Sequence, residues 1–424
     1  MNKSAYIQFV SKVNFGAFLA LLAALPYPLP IIRFCWMAWV ITWVLELRFL
    51  HRENIRRERS TIYLSIGVAV WLLWNMMSVL WASNPQAVWA SMERYAGLLA
   101  IPLVGIWGVN QYYNLHTCIK VLLVSFLISI GVYMFTHYWV INYQYALNKH
   151  AAVPISIDWV HMDGLLMDIK HRMHYTNWIC MLFPCLFLVR NRIGKWWAVA
   201  AGMILLCAMY MTGSRAALVN ALIIVAITAC WVVLRKRSMW AKVLGIGIAV
   251  LLISGSVMLG MHFHPRNAGL SVQEMIHVDE TNVSPAFEPR FAIWKTALEQ
   301  PQDYMAYGLG AGNSTDYLMA HYTQYGWEEY IYRRFSAHNQ YLGVCMELGL
   351  VAAILFALFW VGIPFFFKGT QRYWALCATG MCLSVMMTDM LLTGLEGIVF
   401  VSLLFVLGQL LPDKESLLSI RESY

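Results

Sequence analysis

The sequence has little charge for its length. Only 12% of its 424 residues are charged, against about 25% in an average soluble domain, and 60% are hydrophobic. Apolar stretches of about 20 residues, enough for one membrane-spanning helix, recur along most of the chain. This balance excludes a soluble globular protein and predicts an all-α polytopic membrane protein.

Twelve apolar stretches have the length of a spanning helix. They lie at 10–27, 31–49, 61–81, 95–110, 117–141, 175–190, 196–212, 215–234, 242–260, 339–367, 371–393 and 396–411. We therefore expect nine helices in residues 1–260 and three helices with a short tail in residues 339–424. The segment 261–338 is too polar to span and rich in aromatic residues, so we expect a cap of short helices at the outer membrane surface.

The excess of basic residues does not predict nucleic-acid binding. The formal charge of +8 comes largely from clusters in the connections on one side of the twelve alternating spans. Such a bias is typical of cytoplasmic loops, which places both termini in the cytoplasm. The clusters are Arg52, Arg56, Arg57 and Arg59; Arg190, Arg192 and Lys195; Arg235, Lys236, Arg237 and Lys242; and Lys368 with Arg372.

The sequence lacks the motifs of several common kinds of structural and binding site. None of the nine cysteines lies in the long outer segment, so the chain offers no disulfide framework or zinc cluster there. No Walker-type phosphate loop occurs, and Gly308-Leu309-Gly310-Ala311-Gly312 lacks the strand that precedes a nucleotide loop. We expect neither a cofactor nor a metal.

His338 is the strongest candidate for catalysis. It ends the polar segment and lies directly before an apolar stretch, and Asn339 is a suitable N-cap for the helix that follows. A histidine accepts a proton near neutral pH, which suits a general base. The alternative is an interfacial histidine without a catalytic role.

Two arginines are candidates for binding phosphate. Arg215 follows Ser214 in a very short connection on the predicted outer side, where a helix N-terminus favours an anion. Arg290 begins a helical stretch that carries Trp294 four residues later on the same face. An arginine fork suits phosphate oxygens, whereas an interfacial anchor and a cation–π pair with Trp294 are the structural alternatives.

A weaker group of polar residues, Arg172, His174 and Asn177, lies at the outer end of another predicted span. His171 and His174 lack further metal ligands, so we predict no metal site there.

One base and two fixed cations suit sugar transfer from a lipid diphosphate, because a diphosphate leaves as an anion and its departure needs no general acid. Direct displacement of this kind inverts the anomeric carbon.

These residues resemble the O-antigen ligase family of bacterial inner-membrane glycosyltransferases. The similar pieces are Thr212-Gly213-Ser214-Arg215, Arg290 with Trp294, the glycine-rich patch at 308–312, and Ala337-His338-Asn339-Gln340-Tyr341 followed by Glu347-Leu348-Gly349-Leu350. The resemblance implies a metal-independent enzyme of GT-C type. It would transfer glycan from undecaprenyl diphosphate to the lipid A core on the periplasmic face, with His338 as base and Arg215 and Arg290 on the diphosphate.

Four alternatives remain open at this point, and one of them is an assembly scaffold in which the placement of the arginines and the histidine is a coincidence. O-antigen polymerases and protein O-oligosaccharyltransferases share the motifs and the polyprenyl-linked donor but use other acceptors. A lipid-linked oligosaccharide transporter explains the many spans equally well. A transporter would place charged residues within its spans, along the pathway of the substrate. In this sequence the charged candidate residues gather at one face of the membrane instead.

Overall fold

A computed structural model of the chain describes residues 3–47, 59–147, 172–212, 214–234, 247 and 289–411. Helices account for 84% of the structure, and no strand occurs within these ranges. The all-α class of the polytopic membrane protein is thereby confirmed. In the part of the chain that the structure describes, five helices are long and apolar enough to cross a membrane: Ala5–Ala24, Leu29–Leu47, Ile62–Leu80, Leu115–Thr136 and Ala216–Val233.

We number the α-helices of the described residues in chain order. The first nine are α1 (Lys3–Ala24), α2 (Leu29–Leu47), α3 (Arg59–Met77), α4 (Pro85–Tyr95), α5 (Ala100–Trp107), α6 (Leu115–Leu147), α7 (Arg172–Ile193), α8 (Lys195–Met211) and α9 (Arg215–Leu234). The others are α10 (Pro289–Glu299), α11 (Ser314–Gln324), α12 (Glu328–Arg333), α13 (Gln340–Leu348), α14 (Leu350–Gly362), α15 (Gly369–Thr388) and α16 (Leu395–Gln409).

The chain divides into two compact units. The first comprises Met1–Arg57, Trp107–Ile253 and Leu404–Tyr424, and its described helices include α1, α2 and α6 to α9. Hydrogen bonds connect polar side chains between its helices: Tyr113 donates to Asn14 at 2.7 Å, and Trp39 Nε1 donates to Tyr113 at 2.8 Å. Such bonds are needed because an unpaired polar group is costly away from water.

The second unit comprises Glu58–Ile106 and Ser254–Leu403. It contains α3, α4, the described part of the cap (289–338, with α10, α11 and α12), and α13 to α15. Asn313 ties the cap to the loop before α4, because its Oδ1 accepts the Asn84 N–H at 3.1 Å. Cap and α4 therefore form part of one compact unit.

Two predicted spans differ from the observed helices. The stretch predicted at 95–110 belongs to a helical run that begins ten residues earlier, at Pro85, where Asn84 Oδ1 accepts the Gln86 N–H at 3.1 Å. Hydropathy missed the first half of this run because α4 is polar. The stretch at 339–367 is broken between α13 and α14 at Gly349, whose φ is +87°. The stretch at 242–260 lies outside the described residues, so the count of twelve stays a prediction.

Candidate functional site

His338 lies in the segment that joins the cap to α13. Its φ is +44°, in the left-handed region that a residue with a side chain rarely adopts. Asn339 is the N-cap of α13, and its Oδ1 accepts the Leu342 N–H at 3.0 Å. The imidazole is therefore held at the start of a helix in a backbone conformation that the surrounding bonds must maintain.

Asp389 faces the imidazole of His338. Asp389 Oδ1 lies 3.4 Å from His338 Nδ1, and the two side chains are 19% and 28% exposed. That distance is too long for a good hydrogen bond and is within reach of an ion pair with a protonated imidazole. The Phe335 ring packs edge-on against the same imidazole, with centroids 5.6 Å apart. Of the two ring nitrogens, Nδ1 is the one that faces Asp389.

Two long-range hydrogen bonds bring Asp389 to this position. Leu392 N–H donates to Gln340 Oε1 at 2.9 Å, and the Tyr341 hydroxyl donates to the Leu383 carbonyl at 3.1 Å. Both connect the first turn of α13 to α15 or to the loop after it. Asp389 follows α15 directly, and its Oδ1 also accepts the Met390 N–H at 2.9 Å.

Trp294 connects α10 to the segment that carries His338. Its Nε1 donates to the carbonyl of Ala337 at 2.9 Å, one residue before the histidine. Arg290 lies four residues earlier on α10 and is half-buried. The structure thus attaches the helix of Arg290 to the His338 segment through Trp294, while Asn339 caps α13.

The other candidates belong to the first unit. Ser214 precedes α9, and its Oγ accepts the Ala217 N–H at 3.3 Å. Asn177 on α7 accepts from Asn220 Nδ2 on α9 at 3.5 Å, and both amides are buried. The bond between Asn177 and Asn220 joins α7 to α9 in the second turn of each helix. Arg215 is the first residue of α9 and Arg172 the first of α7, but their side chains, like all of His171, lie outside the described part.

His174 is half-buried on α7, three residues before Asn177. Within the described ranges, no group of three metal-ligating side chains occurs. Whether the protein works without a metal stays a prediction.

The glycine-rich patch packs against the C-terminal end of α13. Leu309 N–H donates to the Met346 carbonyl at 2.8 Å, and Gly310 N–H donates to the Glu347 carbonyl at 2.9 Å. A Cβ on Gly308 would lie 2.3 Å from the Glu347 carbonyl oxygen, so only glycine permits this approach. The patch is a backbone contact that holds α13.

Glu347 is buried at the same end of α13. Its Oε1 accepts the Ser314 hydroxyl at 2.6 Å. A buried carboxyl group needs such a partner. The bond attaches α11 of the cap to α13, so the cap holds this helix by both its backbone and a side chain.

Tyrosine hydroxyls stabilise the cap itself. Tyr317 donates to Asp303 Oδ2 at 3.0 Å, and Tyr304 donates to the Ala297 carbonyl. Burial, followed by the nearby Asp303 carboxylate, raises the pKa of Tyr317 above its ordinary value. Burial raises the pKa of Tyr304 to about 12. Both phenols therefore keep their protons at neutral pH.

Sequence reasoning did not identify Asp389. It lies inside the apolar stretch at 371–393, where hydropathy predicts a spanning helix and nothing more. The available signal was the carboxylate itself, because a charged residue within a membrane-spanning stretch is a functional candidate by default.

Comparison with protein families finds one match. Residues 200–357 match the family model described as O-antigen ligase. The matched segment includes Arg215, Arg290 and His338, and ends before Asp389. Over these residues, the match supports the resemblance that the motifs indicate. A comparison with curated proteins gives no match.

Proposed function

We propose that this chain, whose residues 200–357 match the O-antigen ligase family model, transfers a glycan from undecaprenyl diphosphate to a sugar of the lipid A core. A glycosyltransferase of the O-antigen ligase or polymerase type is what the family match itself supports. The observation that carries the finer proposal is the pair formed by His338 and Asp389 at the start of α13. The reaction takes place at the periplasmic face of the inner membrane.

His338 acts as the base in this mechanism. Its Nε2 takes the proton of the acceptor hydroxyl as that oxygen attacks the anomeric carbon of the donor glycan. A C–O bond to the acceptor forms while the C–O bond to the diphosphate breaks, so the anomeric carbon is inverted. Asp389 stabilises the imidazolium that forms, since its carboxylate lies 3.4 Å from Nδ1.

Arg215 and Arg290 neutralise the departing undecaprenyl diphosphate. Negative charge accumulates on this leaving group as the sugar departs, and fixed guanidinium groups stabilise such charge without a proton. We propose that these two cations replace a metal, so that the reaction continues in the presence of a chelator. Arg172, His174 and Asn177 take a supporting role near the helix that Arg215 begins.

The test uses purified protein in detergent with undecaprenyl-diphosphate glycan, lipid A-core and a chelator, without ATP. The wild-type protein should form glycan-bearing lipid A, and His338→Ala should form none while still binding donor. His116→Ala, a change to a half-exposed histidine on α6, should behave as wild type.

Other results would redirect the assignment. Product on a glycan or a protein acceptor instead of lipid A would indicate a polymerase or a protein O-oligosaccharyltransferase. Donor flipping across vesicles without transfer to any acceptor would indicate a transporter. Full activity of His338→Ala would refute its role as base.

A further inference from the structure

The loop that carries Asp389 is tightly packed. It comprises residues 389–394, between α15 and α16, and belongs to the second unit. The three residues after Asp389 are at most 6% exposed. Thr393 closes the turn, because its N–H and its hydroxyl both donate to the Met390 carbonyl, at 3.3 and 2.8 Å. In a close-packed interior, a displacement of one loop residue is passed on to the others.

A glycine of α16 lies against this loop. Gly397 is the third residue of α16, and a Cβ on it would lie 1.7 Å from the Leu391 carbonyl oxygen. Cβ atoms in proteins do not come closer than about 3.0 Å to another heavy atom, so no residue with a side chain permits this approach. Glycine is otherwise unfavourable inside a helix, and the close approach is the physical reason for it here.

Two contacts hold the same loop from the side of α13. A Cβ on Gly343 would lie 2.5 Å from Met390 Cε, so this side chain packs directly on the helix. The Leu392 N–H donates to Gln340 Oε1 at 2.9 Å, and Gln340 is 1% exposed. Since α13 begins two residues after His338, the loop is fixed both to α16 and to the helix that follows the histidine.

We propose that Gly397 on α16 and Gln340 on α13 are positioning residues, which hold this loop and so set the distance between the Asp389 carboxylate and the His338 imidazole. That distance is 3.4 Å. A Cβ at residue 397 would force the Leu391 carbonyl oxygen, two residues after Asp389, from 1.7 Å to about 3.0 Å. The contacts with α13 leave the loop no room to move towards the histidine, so the carboxylate moves away from it. The inference rests on the proposed function, because it takes Asp389 as the partner of the base.

The first experiment measures the kcat of Gly397→Ala in the wild-type protein and in Asp389→Asn. With half a charge on the imidazole and an effective dielectric constant of about 20, an added distance of about 1 Å lowers kcat by about threefold, with the donor KM nearly unchanged. In Asp389→Asn the same change should have almost no further effect, because the displaced charge is absent. An unchanged kcat in the wild-type background would overturn the proposal. So would equal losses in both backgrounds, which general misfolding produces.

Gly394→Ala is the matched control. Gly394 lies in the same loop, three residues before Gly397, and a Cβ on it would meet nothing within 4 Å. Neither glycine has a positive φ, so alanine strains neither backbone. Gly394→Ala should keep the kcat of the wild type. A threefold loss in this control would attribute the effect to the loop composition instead of the close approach, and would overturn the role of Gly397.

Gln340→Met tests the same positioning without adding a clash, and it remains informative if Gly397→Ala does not fold. It removes the acceptor of the Leu392 N–H and keeps a side chain of similar length. Its kcat should fall in the wild-type background and stay nearly unchanged in Asp389→Asn. A loss that persists in full without the carboxylate would contradict the proposal.

Cross-linking separates the positioning from the proposed function. In a chain with His338→Cys and Asp389→Cys, a short thiol cross-linker such as dibromobimane should join the two positions, and mass spectrometry identifies the linked peptides. Gly397→Ala should lower this yield several-fold, and Gly394→Ala should not. An unchanged yield in Gly397→Ala would refute the positioning. A lowered yield in a protein whose wild type transfers no glycan would support the positioning and refute the proposed function alone.

Discussion

Replacing Asp389 by asparagine keeps the shape of the side chain and removes its charge. At 3.4 Å a full charge pair with His338 amounts to about 5 kcal/mol at an effective dielectric constant of about 20. Both side chains are less than one-third exposed, so water screens the pair only partly. If about half of the positive charge has developed on the imidazole in the transition state, the loss is about 2–3 kcal/mol, or about 30- to 150-fold in kcat.

The assay is initial-rate transfer at saturating donor, measured for Asp389→Asn, His338→Ala and the double variant. Asp389→Asn should lower kcat with little change in the donor KM. In the His338→Ala background the same change should have almost no further effect, because its action depends on the imidazole. Asp303→Asn, which removes an aspartate that contacts Tyr317 in the cap, is the control for loss of an acidic side chain.

Two results would refute this reasoning. A kcat of Asp389→Asn within about twofold of the wild type would show that the carboxylate does not stabilise the imidazolium. Independent losses that multiply in the double variant would show that Asp389 acts elsewhere.

Three further predictions concern Arg290, which we propose binds phosphate, and the cap. Arg290→Lys should raise the donor KM and restore only part of what Arg290→Ala loses, because lysine cannot bind phosphate through two parallel donors; donor titration measures this. Gly308→Ala should lower the unfolding free energy by more than about 2 kcal/mol, since a Cβ would meet the Glu347 carbonyl oxygen. Gly326→Ala is the control, because Gly326 has a φ of +68° but open space around a Cβ. It should lower the unfolding free energy only by the cost of a left-handed backbone, about 1 kcal/mol. Thermal unfolding of both variants measures the difference. The raised pKa of Tyr304 means that its contribution to stability is complete below pH 10 and is lost as pH rises through about 12. Tyr304→Phe should therefore flatten the alkaline fall in thermal stability, and an unchanged fall would contradict this assignment.

The local features around His338 could be predicted from the sequence because neighbouring residues determine them. Asparagine before an apolar stretch predicts a helix N-cap, and Asn339 forms that cap. Spacing of four places Trp294 on the face of Arg290, but its bond to Ala337 joins residues 43 apart. The contact between His338 and Asp389 spans 51 residues, and no local pattern encodes such a distance. The isolated carboxylate in an apolar stretch was the only sign of it.

The glycine-rich patch is one of several motifs that together hold α13 in place. α13 has nine residues, and a helix of that length is marginal without tertiary contacts. At its N-terminal end Asn339 caps it and Gln340 binds the loop after Asp389. At its C-terminal end Leu309 and Gly310 donate to its last carbonyls. The direction of α13, and with it the position of His338, therefore depends on residues spread from 309 to 392. A change in the glycine-rich patch should thus reduce catalysis although the patch lies away from His338, because it would loosen the placement of the base that we propose.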